Sequence, residues 1–517
     1  MRISTSQIFQ QGLSAMLEQQ SKLMQTEQQL ATGRRILVPS DDPAGSAQML
    51  DLGQAVAVTK QFQENVKSAK ERLGLEDSTL DSVTGLLQRV RSELAVQANN
   101  ATQTNDTRAA ISLEVQQRLN DLLSLANTRD ANNEYLFSGY KGQVQPFAKT
   151  NTGFSYSGDQ GSRYLQIGPT TQVATGDSGS DVFMAIRNGN GTFSMAGNVA
   201  NTGNGVLGAG TLSGTTAYVP DTYSLVMGQQ TTVTGGALGF TDTNSNDTLQ
   251  YELRINGTLV YTGAEASSQT QAQIAASIAA QSGTTGVTAY VSGGVLYLAH
   301  TAPSATPITV NETLTGFTEG TDAVTGYFGS VLTGAAASNT LTVNAVPAGS
   351  YVVLNGAGAV VTAGAYQSGA NIAFNGIQTR VDGAPNNGDR FTISQSANQD
   401  IFSTIQNLVN ALAVDGSSQA GQARINNEIG RTLTDIDQAI GNILNIRARV
   451  GARLNTIESQ QDTNDAASLQ YQETLSGIQD LDYAEAASRL NLQQTILQAA
   501  QQAFIKVQGL SLFNFLR

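Results

Sequence analysis

Apolar residues recur every three or four positions in two long segments, residues 54–130 and 425–500, where glycine and proline are nearly absent. This spacing is typical of amphipathic helices. The first segment holds a row of residues seven apart: Leu73, Leu80, Leu87 and Leu94. The second segment holds a matching row: Ile429, Ile436, Ile443, Val450 and Ile457. Because rows of this period form the seam of coiled coils, we predict that the two segments pack together as a helical shaft.

The two chain ends carry further apolar rows. The first row is Phe9, Met16, Leu23 and Leu30. The second group is Leu490, Ile496, Leu497, Phe504, Val507 and Leu510. An isolated helix of this length is only marginally stable in water, since most helical stability comes from packing. We therefore predict that these residues form an assembly interface between copies of the chain.

From Tyr135 onward the pattern changes to short β-prone runs separated by turn residues. Residues 135–139 predict a first hairpin, and Asn256-Gly257 is typical of a type I′ turn between two strands. Residues 271–281 predict a helix within this region. The predicted fold class is α+β: long N- and C-terminal helices form a coiled-coil-like shaft, and Gly/Thr-rich β domains are inserted between them.

The chain length of 517 residues exceeds the usual size of one hydrophobic core, so several domains are expected. The run Asp41-Asp42-Pro43 supplies a capping side chain and a first-turn proline, and it predicts a helix start. We predict four domains: a terminal helical domain of residues 1–40 with 470–517; a shaft with a β-hairpin, 41–145 with 400–469; a β-rich domain, 146–220 with 331–399; and an additional β-rich outer domain with a short helix, 221–330.

Charge and composition argue against several classes of function. The net charge of −13 disfavours binding to nucleic acid and to anionic lipid. With no cysteine and a single histidine, the chain lacks the residues of thiolate and multi-histidine metal sites. It has no apolar stretch of 18 residues and no secretory h-region near the N-terminus, so we expect no membrane insertion and export without a cleaved signal peptide.

Three motifs resemble ligand-binding or catalytic sites but are better explained as loops, turns and a strand end. Residues 203–208 match G-x-G-x-x-G but lack the strand and helix that a dinucleotide site requires. Residues 242–247 resemble a calcium loop but lack its glycine and its final carboxylate. His300 has no second histidine and is expected at a strand end. We therefore predict no catalytic residues, no cofactor and no metal, and a protein that is not an enzyme.

Several segments resemble the flagellin-like axial proteins of bacterial flagella. Residues 30–45, LATGRRILVPSDDPAG, are similar to the family linker between outer helix and shaft, and residues 133–139, NEYLFSG, to the segment that leads into β structure. Residues 374–391 are similar to the return from that β structure. The close, AQQAFIKVQGLSLFN at 500–514, is the most specific match. The resemblance covers about the first 140 and the last 145 residues.

The opening MRISTS, residues 1–6, is similar to the subunits that join hook to filament. The resemblance implies terminal helices that form the inner tube of an extracellular flagellum, in a ring of like subunits between hook-associated protein 1 and flagellin. It also implies type III export with a chaperone on the C-terminal helix. Two alternatives remain open at this point: filament flagellin itself, and a carbohydrate-binding or hydrolytic module displayed on the flagellum.

Overall fold

The computed structural model describes residues 5–96, 103–151, 153–214, 216–234, 238–241, 248–264, 269–304, 306–316, 323–328, 331–333, 338–343 and 349–513. The helices are α1 Thr5–Thr32, α2 Pro43–Arg89, α3 Asn105–Ala126, α4 Gln271–Ala280, α5 Ser282–Thr285, α6 Ile401–Leu412, α7 Gln419–Gln479 and α8 Tyr483–Phe513. Two further turns, Val90–Ala95 and Ser180–Met184, are π-helical.

Short strands fill the middle of the chain. They are β1 Phe147–Thr150, β2 Gly153–Tyr156, β3 Tyr164–Gln166, β4 Gln172–Ala174, β5 Ile186–Arg187, β6 Phe193–Gly197, β7 Val206–Leu207, β8 Thr211–Leu212, β9 Tyr223–Thr234, β10 Gly239–Thr241, β11 Gln250–Ile255, β12 Thr258–Ala264, β13 Val287–Ser292, β14 Val295–His300, β15 Ile308–Thr315, β16 Ala323–Thr325, β17 Val331–Thr333, β18 Ser338–Val343, β19 Ser350–Leu354, β20 Val360–Ala365, β21 Asn371–Phe374, β22 Ile377–Asp382, β23 Arg390–Gln395 and β24 Asn398–Gln399. The predicted α+β class, with helical ends around a β-rich middle, is confirmed.

The chain forms two compact units. Unit 1 comprises Met1–Leu73, Tyr164–Thr175 and Ala452–Arg517, and unit 2 comprises Gly74–Arg163 and Gly176–Gly451. In unit 1, helix α2 begins at Pro43 as predicted. The Asp42 side chain caps it, because its Oδ1 accepts a hydrogen bond of 2.9 Å from the Gly45 N–H.

The two rows predicted as the shaft seam lie on α2 and α7. Every member whose side chain is described is fully buried: Leu73, Leu80, Leu87, Ile429, Ile436, Ile443, Val450 and Ile457. The side chain of Leu94 lies outside the described residues. In unit 2, Arg447 of α7 pairs with Asp77 at 2.9 Å and Asp81 at 2.7 Å on α2. These ion pairs, which raise the pKa of Arg447 chiefly through its hydrogen bond to Asp77, support the prediction of a shared seam.

The segment 135–139 is not a hairpin, which corrects the sequence prediction. The structure has turns there, and the first hairpin is β1–β2. The run looks strand-like because it is apolar, but its side chains enter an aromatic cluster. Phe137 is fully buried with its ring 5.1 Å from that of Phe183, and the Leu136 N–H bonds to the carbonyl of Thr128 at 3.0 Å.

Strand β9 pairs with strands that lie on both sides of the predicted domain boundaries in unit 2. It pairs with β19 and β23 near its start and with β14 near its end. The resulting seven-stranded sheet contains β6, β9, β13, β14, β19, β20 and β23. Strand β18 likewise pairs with β15. Strands that lie on opposite sides of the predicted boundaries at residues 220 and 330 therefore pair with each other. The domain boundaries themselves stay a prediction. The predicted type I′ turn is confirmed, since Asn256 and Gly257 have φ of 49° and 78°.

A buried aspartate accepts several backbone hydrogen bonds in the segment that leads from the β region back to the helices. Asp389 accepts backbone hydrogen bonds from Thr202 at 2.9 Å, Gly203 at 3.0 Å and Asn386 at 2.8 Å. Burial raises the pKa of this carboxyl above its usual range, against the lowering effect of these donors. His300, which ends β14 as expected, lies next to this loop, and its backbone N–H donates to the Asn387 side chain at 3.1 Å.

Candidate assembly surface

The joint between α1 and α2 is organised by contacts with the α7–α8 junction in unit 1. The Arg35 N–H donates to the carbonyl of Gln479 at 2.7 Å, and the Leu481 N–H donates to the carbonyl of Gly33 at 3.0 Å. The Arg35 guanidinium also donates to the carbonyl of Ile478 at 2.9 and 3.0 Å. These contacts join two segments that are 443 residues apart in the sequence.

Helices α1 and α8 pack against each other in an antiparallel arrangement. A Cβ placed on Gly12, early in α1, would lie 3.3 Å from the ring of Phe504, late in α8. A Cβ on Gly33, just after α1, would lie 2.8 Å from the hydroxyl of Tyr483, at the start of α8. The two chain ends therefore supply each other with the packing partner that neither has alone.

This pairing half-covers most of the residues predicted as the assembly interface. Those that are half-buried are Met16, Leu23, Leu30, Leu490, Leu497 and Phe504. Ile496 is 44% exposed. The side chains of Phe9, Val507 and Leu510 lie outside the described residues. That these residues contact other copies stays a prediction.

A second apolar row on each terminal helix is left open by the pairing. On α1 it consists of Leu13, Leu17, Met24 and Ala31, all exposed. On α8 it consists of Leu492, Ile496, Ala499 and Ala503, also all exposed. Of the residues predicted as the assembly interface, only Ile496 belongs to this second row, although the spacing of four, three and four residues from Leu492 to Ala503 signals it. A helix that is apolar on two sides needs a partner on both.

Replacing Gly33 with alanine should loosen the pairing of α1 with α8. Gly33 has a φ of +70°, which disfavours side chains, and the new Cβ would collide with the Tyr483 hydroxyl. We expect a local loss of about 1 kcal/mol or more and faster amide hydrogen exchange in α1 and α8. Gly53→Ala is the matched control, because nothing lies within 4 Å of its Cβ position. Equal exchange rates in the two variants would contradict this account of the joint.

Within the described residues, no helix is long and apolar enough to cross a membrane. In the same part of the chain, no group of three or more His, Asp or Glu side chains is placed to hold a metal ion.

Comparison with known proteins agrees with this arrangement. The bacterial flagellin N-terminal helical region matches residues 3–142, and the bacterial flagellin C-terminal helical region matches residues 433–516. Both terminal regions of the chain are thus similar to those of bacterial flagellins. The two family regions coincide with the chain segments that contain α1 to α3 and α8, which include both exposed rows.

Among flagellin-like proteins, the chain resembles hook-associated protein 3 in sequence and in fold. Flagellar hook-associated protein 3 of Salmonella typhimurium is 33% identical over 186 residues, which are 36% of this chain and 58% of that protein. The match thus spans little more than half of the relative's length. The FlgL crystal structure from Xanthomonas campestris superposes with a TM-score of 0.57 at 25% identity, covering 82% of this chain and 99% of FlgL. The flagellar junction protein FlgL from Legionella pneumophila gives 0.54 at 26% identity, covering 84% and 100%.

Proposed function

We propose that this chain is a structural subunit of the bacterial flagellum that joins hook to filament by helical self-assembly. The observation that carries the proposal is the second apolar row on each of α1 and α8, which the subunit itself leaves uncovered. The resemblance to hook-associated protein 3 supports it. No step of this function requires catalysis, so the chain acts as a binding and load-bearing part and not as an enzyme.

The exposed rows give the assembly its driving force. Each large apolar side chain that becomes covered contributes about 1.5–3 kcal/mol. Leu13, Leu17, Met24 and Leu492 are exposed by 42%, 58%, 53% and 60%, so part of that gain is still available to an interface. Copies placed side by side in a ring would cover these rows and form an inner tube, with hook-associated protein 1 on one side and flagellin on the other.

Before assembly the same rows need protection. An export chaperone that covers α8 would shield Leu492 and Ile496 until the subunit leaves the cell through the type III apparatus. The absence of cysteine from the chain suits an extracellular position, because no thiol is present to be oxidised there.

Deletion of the gene tests the proposal. A junction subunit is needed to retain filament, so the deletion strain should keep its hooks but release flagellin into the medium, and the intact gene should restore filaments. Flagellin in the medium is measured by immunoblot and hooks by electron microscopy. A deletion strain that still builds full filaments on its hooks would disprove the junction role.

A further inference from the structure

A polar groove runs across unit 2, formed by helices α6 and α7, the β1–β2 hairpin and the segment around β6 and β7. It consists of a first, a middle and a last cavity, with volumes of about 90, 160 and 320 Å³. Gly197 and Asn427 line both the first and the middle cavity, and Asn407 and Asn410 line both the middle and the last cavity. The three cavities therefore adjoin, and we call them together the amide groove.

The amide groove is elongated. The α7 wall of its first two cavities extends from Ala420 to Thr434, which is about 21 Å at a helical rise of about 1.5 Å per residue. The last cavity continues past Asn407 and Asn410 of α6 to the β1–β2 hairpin. This shape suits a chain-like ligand better than a single compact molecule.

Side-chain amides dominate the middle cavity, which is lined by five asparagines: Asn198, Asn201, Asn407, Asn410 and Asn427. Asn201 is held by the backbone of Arg390, to which it donates at 2.9 Å and from which it accepts at 2.8 Å. Asn427 donates to the carbonyl of Gly205 at 3.1 Å and accepts from the Leu207 N–H at 2.7 Å. In the part of the chain that the structure describes, no hydrogen bond engages the Asn407 side chain. Its donor and its acceptor are therefore available to a ligand.

Cationic side chains outnumber carboxylates along the groove. Lys149, Arg424 and Arg431 line it, and Glu428 is the one carboxylate among the described lining residues. These three cations and one carboxylate give a local charge of +2 on a chain whose net charge is −13. Glu428 pairs with Arg431 at 2.6 Å, and the Lys149 ammonium lies 3.5 Å from Gln406 Oε1. Among the described residues, none forms an ion pair or a side-chain hydrogen bond with Arg424, which is half-buried.

The apolar lining of the groove is an accessible aromatic ring at one end and small residues in the middle. Phe154 lines the last cavity and is only half-buried, although its ring centroid lies 5.2 Å from that of Phe402. The buried apolar lining of the middle cavity includes Ala411, with Gly203 and Gly205 of the G-x-G-x-x-G motif. An aromatic ring and small apolar residues can cover the C–H groups of sugar rings while amides bond to their hydroxyls.

We propose that the amide groove binds an acidic oligosaccharide, a short chain of uronic-acid units. Arg424 binds one carboxylate through two parallel N–H bonds, and Lys149 attracts a second carboxylate at the other end of the groove. Asn407 donates to one ring hydroxyl and accepts from another. This ligand site goes beyond the proposed function and does not depend on it, because a subunit can bind a glycan whether or not it joins hook to filament.

The chemistry of the groove favours a sugar over a peptide. Peptides are recognised through strand-edge backbone groups or through pockets for their side chains. The middle cavity presents amide side chains instead, and their adjacent donors and acceptors suit hydroxyls, which also both donate and accept.

The groove is also better suited to binding than to cleavage. Glycoside hydrolysis commonly uses two carboxylates that flank the bond to be broken. Glu428 is the one carboxylate among the described lining residues, and it is paired with Arg431. We therefore expect the oligosaccharide to be bound intact.

Calorimetric titration of the full-length chain tests the ligand class. A trimer of galacturonate or a trimer of mannuronate should bind saturably at sub-millimolar concentration, and maltotriose, a neutral trimer, should bind at least about tenfold more weakly because it lacks the carboxylates. Added salt should weaken the binding of the uronate trimer. The proposal is overturned if neither uronate trimer binds at millimolar concentration, if maltotriose binds equally well, or if a peptide of three glutamates binds as tightly as the uronates.

Two substitutions test the place of binding. Arg424→Gln should weaken binding of the uronate trimer about tenfold or more, and Asn407→Ala should weaken it several-fold. Both variants should keep the circular dichroism of the natural chain, since neither side chain has a bonding partner among the described residues of the subunit.

Arg449→Gln is the matched control for Arg424→Gln. It makes the same charge change on the same helix, at an exposed position 25 residues further along α7, which is about 37 Å from Arg424. It should leave the affinity for the uronate trimer unchanged. Equal affinities of Arg424→Gln and Arg449→Gln would show that the ligand does not bind in the amide groove.

Discussion

Replacing Phe402 with alanine should lower the free energy of unfolding of unit 2 by about 3–5 kcal/mol, because it leaves a cavity in a closely packed aromatic cluster. Phe402 is fully buried in the first turn of α6. Its ring centroid lies 5.1 Å from that of Phe147, 5.2 Å from that of Phe154 and 5.8 Å from that of Phe183. Ring contacts of this kind contribute beyond their buried area.

Urea denaturation of the full chain, followed by circular dichroism where the β structure is lost, measures this effect. Phe402→Leu keeps most of the volume and should lose less than the alanine variant. Leu113→Ala is the matched surface control and should stay within about 0.5 kcal/mol of the natural chain. If Phe402→Ala and Leu113→Ala unfold at the same urea concentration, the cluster does not stabilise unit 2 in the way described.

Replacing Leu17 and Met24 together with serine should abolish incorporation into the flagellum while the subunit keeps its fold. Both side chains belong to the exposed row on α1, with 58% and 53% of their surface accessible. If a neighbouring copy buries them, their loss removes about 3 kcal/mol or more from each interface. A loss of 3 kcal/mol corresponds to a weakening of association by more than about a hundredfold.

The test introduces the double variant into a deletion strain and measures flagellin in the medium and filaments on the cells. Circular dichroism of the purified variant should match that of the natural chain, because neither side chain is buried in the subunit. Leu113→Ser serves as the control of equal polarity change on α3, and it should retain filaments. Normal filaments with the double variant would show that the row on α1 is not an assembly contact.

The sequence predicted the features that depend on neighbouring residues. The Asp42 side chain and Pro43 specify a helix start through local capping, and the structure begins α2 there. Asn256 and Gly257 specify a turn through their tolerance of positive φ. The seven-residue rows of the shaft also became buried, since their period fixes which side of each helix is apolar.

Features that depend on distant partners were not predicted. Residues 135–139 have the composition of a strand, but Phe137 packs against the ring of Phe183, far along the chain, and the segment forms turns. Strand β9 is long enough to pair with different partners along its length, which no local pattern reveals. Only Ile496 of the second row on α8 was predicted as an interface residue, because the alanines of that row, Ala499 and Ala503, give a weaker signal than the leucines of the first row.

The pairing of α1 with α8 has a consequence for unfinished chains. The two partners are separated by almost the whole polypeptide, so a chain that stops early has α1 without the helix that covers its inner face. Loop closure over such a distance is slow compared with folding of the local elements, and it takes place last. A chain that lacks α8 would therefore leave the inner face of α1 uncovered and would assemble poorly. Only complete chains are expected to join their neighbours.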